Sequence, residues 1–210
     1  MLYLDHLTVA ALSLDEGVAH VRRALGVEIP PGGAHPIMGT HNHLMQLGNS
    51  VFLEVIAPDP GVTPQRPRWF GLDDPDMHRR LACSPRLLTW VVRVADIRTA
   101  LADVPGAAGE PVQVSRGTLS WQISIAPDGS LPSGGAFPTL IEWPDGVLPG
   151  LSMPDLGCRL DRLSITHLDG ASLAASLKSF FADDRVVISS GAEIELRAAI
   201  MTPLGPRELG

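Results

Sequence analysis

The sequence predicts an α+β fold in which βαβββ units recur. Such units imply an antiparallel-rich, curved sheet with helices on its outer face. Three observations carry the prediction. Near the start, apolar residues alternate with period two and then switch to helical spacing, in 4-LDHLTVAALSLDEGVAHVRRALG-26. The order strand, helix, three strands returns in the second half of the chain. A third echo begins at 160-LDRLSITHL, which overlies 4-LDHLTVAAL: Leu, Asp and Leu recur, Ser replaces Thr and Ile replaces Val.

Each element follows from local pattern. Leu2 to Ala11 reads as a strand, with Leu7 and Val9 on one face and His6 and Thr8 on the other. Ser13 or Asp15 can cap the helix that follows, Val18, Val21 and Leu25 form its apolar stripe, and Gly26 can end it. A Pro/Gly loop, 30-PPGGAHPIMG-39, has room for a short strand. The segments 40-THNHLMQLG-48 and 50-SVFLEVIAP-58 read as strands joined at Gly48-Asn49.

The first unit therefore spans 1–60, and a linker occupies 61–86. The second unit spans 87–148: strand and helix in 87-LLTWVVRVADIRTAL-101, then strands at 111–117, 118–126 and 139–144. The loop 127-PDGSLPSGGAFP-138 separates the last two, and its stretch from Ser130 to Gly135 is either a lid or a plain connector. A C-terminal βαββ half-unit covers 159–210, with strands at 185–189 and 193–205.

Composition narrows the function classes. The 210 residues carry a net charge of -7, and no basic cluster offers a phosphate-binding face. Nucleic acid is not an expected partner. No segment approaches the roughly 20 apolar residues of a membrane span, and nothing at the start reads as a signal peptide. The two cysteines, Cys83 and Cys158, are isolated, so neither a disulfide framework nor a zinc-thiolate knuckle is expected. A reduced, cytoplasmic protein is the expectation.

The motifs 39-GTHNHLMQLG-48, 52-FLEVIAPDP-60, 67-PRWFGLDDP-75 and 137-FPTLIEWPDG-146, set in repeated βαβββ units, resemble bacterial glyoxalase-like domain proteins. These belong to the vicinal oxygen chelate superfamily, with glyoxalase I, extradiol dioxygenases and bleomycin-resistance-type proteins. The resemblance covers nearly the whole chain. It implies paired units curled into a cup, with metal ligands on the first and last strands of each unit. Carried onto this chain, those positions are His6, Glu54 and Glu142, with Thr89 at the fourth. The resemblance thus implies a divalent metal (Mn, Fe, Ni, Zn or Mg), although threonine is a poor ligand.

Lyase or isomerase chemistry on a small carbonyl or hydroxy-acid metabolite is the implied activity. Glu142 or Glu54 would serve as the catalytic base. The alternative is metal-free binding or sequestration of a small molecule. In this superfamily units often pair across chains, so a homodimer is compatible with the resemblance.

Further residues are candidates for holding the ligand. Arg93 shares a strand face with Thr89 and Val91, and suits capture of an anionic ligand; a salt bridge to Glu142 or Glu54 is the competing reading. His41 and His43 share a face, as a metal pair or a rim pair, which turns Asn42 to the opposite side as a ligand hydrogen-bond donor. Trp121 and Trp143 are read as helix-facing core, and Trp69 and Phe70 as pins for the linker.

Overall fold

A computed structural model describes residues 1–210. The first unit runs β1 (Tyr3–Ala10), α1 (Leu14–Leu25), β2 (Pro31–His35), β3 (Thr40–Gln46) and β4 (Phe52–Pro58). The second runs β5 (Arg86–Arg93), α3 (Ile97–Asp103), β6 (Glu110–Arg116), β7 (Leu119–Ile125) and β8 (Thr139–Glu142). Between them the linker carries a helix absent from the sequence reading, α2 (Pro75–Cys83), started by Asp74, whose carboxylate accepts from the Asp76 N–H.

These strands form one eight-stranded sheet in the order β2-β3-β4-β1-β5-β8-β7-β6. β1 is parallel to β4, and β5 is parallel to β8; the two units meet in the antiparallel β1–β5 seam. The sheet curls until its edge strands β2 and β6 approach each other. Gly33 permits that approach, since a methyl group there would lie 2.7 Å from the Cγ of Arg116.

The two faces bury different residues. Outside, Leu7, Val9, Leu53 and Val55 pack against Val21 and Leu25 of α1. Ser13 caps α1 through the Glu16 N–H, and Gly26 ends it with φ 73°. Inside the curl, Ala10, Ile56, Val91, Ile123 and Ile141 pack against Trp69 and Phe70 of the linker. The linker is therefore the plug of the cup, a stronger role than a surface pin.

The C-terminal segment departs from the sequence reading. It holds β9 (Arg159–His167), α4 (Gly170–Leu177), β10 (Val186–Ser190), β11 (Glu195–Thr202) and an additional strand, β12 (Gly205–Leu209). These form their own sheet, β10-β9-β11-β12, with β9 in its interior. Its apolar face closes over the outer core through Leu163, Leu196 and Ile200. No helix is long and apolar enough to cross a membrane.

Candidate functional site

Inside the cup a small cavity lies among His6, Phe52, Glu54, Trp121, Arg116 and Trp143. Its free space is about 20 Å³, room for one water molecule. Period-two geometry brings His6 from β1 and Glu54 from β4 to this face, as the sequence reading expects. Both side chains are almost wholly buried, His6 at 4% and Glu54 at 6% exposure.

Their geometry is specific. The register of β1 against β5 shifts between Leu4 and His6, and this bulge lets consecutive side chains meet. His6 Nδ1 lies 2.7 Å from Asp5 Oδ1, and Asp5 Oδ2 accepts from the Trp143 indole at 3.0 Å. The imidazole stacks on Phe52 with centroids 4.4 Å apart. Its Nε2 faces Glu54 Oε2 across 3.7 Å, too far for a direct hydrogen bond. In its neutral form, with Nδ1–H given to Asp5, His6 presents a lone pair to a carboxylate oxygen. The gap suits a shared proton or the hydroxyl of a bound molecule.

Asn42 and His35, behind Glu54, fix its carboxylate. Asn42 faces the cup, but its amide is already engaged. Nδ2 donates to Glu54 Oε1 at 2.7 Å and lies 3.4 Å from His35 Nε2, while Oδ1 accepts from the Gly33 N–H at 2.9 Å. His35 then carries its proton on Nδ1 and donates to the Thr40 hydroxyl at 3.0 Å. Burial pushes His35 down to about 4, against the pull of Glu54 in the other direction. It is neutral at pH 7 and accepts from Asn42.

The expectations for Glu142, Trp121, Trp143 and Arg93 are corrected. Glu142 does not enter the cavity. Its Oε2 accepts from the Ile97 N–H at 2.7 Å, at the N-terminus of α3, while its neighbours Ile141 and Trp143 face the cup. Strand β8 is only four residues long and buried on both faces, so its phase is not legible from hydrophobicity. By the same alternation Trp143 lines the cup, and so does Trp121, rather than packing under a helix.

Arg93 is also displaced. Its guanidinium donates to the Leu4 carbonyl at 3.2 Å and the Ser50 hydroxyl at 3.3 Å, and lies 3.9 Å from Asp5. It braces Asp5 from behind and does not line the cavity. Thr89 is buried with its hydroxyl on the Gly135 carbonyl at 3.4 Å. His41 lies on the other side of β3, beside a groove with Leu12, Asp59 and Arg68, and His43 bonds the Ile29 carbonyl at 2.7 Å.

The implied divalent metal does not fit this donor set. With Glu142 on the opposite face, only His6 and Glu54 of the implied set line the cavity; His35 lines it too but is turned to Thr40 and Asn42, and no group of three or more His, Cys, Asp or Glu side chains is placed to ligate. Removing Glu142 tests the new assignment. Glu142→Ala should lower stability by about 1 kcal/mol through the lost cap on α3. Urea unfolding measures that loss, and ligand binding in the cup should be unchanged.

The sequence reading missed His35 and Arg116. Arg116 ends β6, with its guanidinium 6.0 Å from the centroid of the Trp121 ring, and it makes no hydrogen bond or ion pair. Burial lowers its affinity for its proton, and Glu54 partly restores it. Trp69 and Trp121 line the cavity too, and both indole N–H groups are buried without a partner. A donor left so costs about 1–3 kcal/mol, which an acceptor from a bound molecule would recover.

A curled sheet of paired βαβββ units around a central cavity is the vicinal oxygen chelate fold. A family model described as a glyoxalase-like domain matches residues 4–181, and the chain belongs to that family. No functionally curated relative matches the sequence. Among solved structures, a protein from Staphylococcus aureus described as hypothetical aligns with TM-score 0.62 and 13% identity over 93% of this chain and 88% of its own. Methylmalonyl-CoA epimerase from Mycobacterium tuberculosis aligns with TM-score 0.43 and 19% identity, over 71% of this chain and 91% of its own.

Proposed function

We propose that this glyoxalase-like protein holds a small anionic, oxygen-bearing metabolite at the mouth of the cup and moves a proton on it. The reaction class is isomerase or lyase, with no metal in the path. The observation that carries the reading is the Asp5–His6–Glu54 line. A carboxylate and a fixed imidazole face each other across 3.7 Å, inside a cavity where two indole N–H groups lack partners.

The ligand divides between two spaces that share Arg116. The inner cavity takes one oxygen. An outer cleft of about 420 Å³, lined by Leu44, Leu119, Leu148 and Met153, takes the rest. The Arg116 guanidinium, uncommitted between them, pairs with a carboxylate or phosphate. Glu54 takes a proton from the carbon beside a carbonyl, and the electron pair moves onto the carbonyl oxygen. Trp121 and Trp69 N–H groups stabilise that oxyanion. The proton returns to carbon in an isomerisation, or a leaving group departs from the adjacent carbon in a lyase reaction.

Metal-free capture without turnover is the second reading, favoured by the same incomplete ligand set. The experiment that separates them screens 2-oxo and 2-hydroxy acids by thermal shift, then follows deuterium uptake into each binder by proton NMR in D2O. Uptake beside the carbonyl supports proton transfer. Binding without uptake supports capture, and no binding refutes both. For any binder, Arg116→Gln should weaken affinity about tenfold to a hundredfold, the loss of a charged hydrogen bond. Calorimetric titration of the two proteins checks this.

A further inference from the structure

We infer that the crevice between the eight-stranded sheet and the C-terminal sheet is a second binding site, for a small molecule bearing a carboxylate or phosphate. The crevice measures about 690 Å³ and lies on the outer side of the sheet, away from the cup. Its walls come from α1, the end of α2, the start of β5 and the strand β11. Leu87 and Ile194 make part of it apolar.

Its charges are unequally satisfied. Arg197 donates to Glu195 and Glu208 at 2.6 Å each, so those three groups neutralise one another. Arg80 and Arg86 form no ion pair within 4.0 Å and no side-chain hydrogen bond. The Nε of Arg86 is shielded from solvent and has no partner. Burial and the neighbouring Arg80 both act against the charge on Arg86. Glu195 attracts it from a distance without contact, and Glu193, the remaining acid of the crevice, is exposed.

A part-buried guanidinium beside a second one, with no ion pair of its own, gains from an anion that completes the pair. Two guanidinium forks on one wall match the oxygens of a carboxylate or phosphate. The apolar remainder accommodates the molecule's carbon skeleton. The position is independent of the cup, so this site and the proposed proton transfer stand or fall separately.

Inorganic phosphate and acetate serve as probes, each titrated at constant ionic strength against chloride. Thermal unfolding and amide NMR shifts are read for wild type, Arg86→Gln, Arg80→Gln and Arg116→Gln. One probe should raise the wild-type melting temperature saturably, with shifts at residues around the crevice that persist in Arg116→Gln. Arg86→Gln and Arg80→Gln should each weaken that response by about tenfold or more, and Arg116→Gln should leave it intact. Arg80 is exposed, so its substitution reports on the site even where Arg86→Gln does not fold. The inference is overturned if neither probe binds more than chloride does. A response lost only in Arg116→Gln, or retained in both crevice variants, overturns it equally.

Discussion

With Glu54 replaced by glutamine, deuterium exchange on a bound oxo or hydroxy acid is expected to fall by about 10²–10⁴-fold, with affinity little changed. The amide keeps the shape of the carboxylate. Its oxygen still accepts from Asn42 Nδ2, which reaches Oε1 at 2.7 Å in the wild type. What is lost is a group able to take a proton at neutral pH. His6→Asn provides the companion measurement. The position stays polar, but the Asp5-anchored ring that faces Glu54 Oε2 across 3.7 Å is gone. A drop in exchange for Glu54→Gln with wild-type exchange in His6→Asn would leave Glu54 as base and remove the imidazole from the path. Unchanged exchange in Glu54→Gln would sink the proton-transfer reading altogether.

Acid should destabilise the protein through His35. Buried at 1% exposure, it holds its proton in the fold only below about pH 4, whereas unfolded it takes one near 6.5. Between those values the unfolded chain binds more protons than the native one. Stability therefore falls as pH drops through that window, and it is fully present above 6.5. The gap corresponds to about 3 kcal/mol. Urea unfolding at pH 7.5 and pH 4.5 measures it for wild type and His35→Gln. The substitution lowers stability at both values, since it disturbs the bonds to Thr40 and Asn42. The informative quantity is the slope with pH, which should flatten. An equal slope in both proteins would mean that His35 is protonated in the fold.

The burial of His35 is not legible in the sequence. His35 sits in a Pro/Gly-rich segment whose strand, β2, is five residues long and carries no alternation of apolar side chains. Nothing local marks it as buried; it is buried because the linker's Trp69 packs edge-on against it at 4.9 Å. The Asp5–His6 contact depends on the fold in a different way. Strict alternation sends Asp5 and His6 to opposite faces, and only the bulge opposite β5 brings them together. Arg116 lies at the end of a mostly polar strand, and its place at the cup follows from the closing of β6 toward β2.

Local residue pattern is enough to establish the α+β class, the two βαβββ units and the outward packing of Leu7, Val9, Leu53 and Val55 on α1. Those features rest on period and composition, which are local. It also placed His6 and Glu54 on one face, because both strands are long and pack a helix with the alternate residues. Which way β8 turns Glu142 depends on long-range packing, since Leu140 and Ile141 are buried on opposite faces and hydrophobicity carries no phase there. The C-terminal unit makes the same point at larger scale. Its opening residues repeat those of β1, and like β1 the strand β9 lies between a parallel and an antiparallel partner, yet it builds a separate sheet. Strand partners are chosen by which edges remain open after the rest of the chain has packed, and a strand's own residues do not encode that choice.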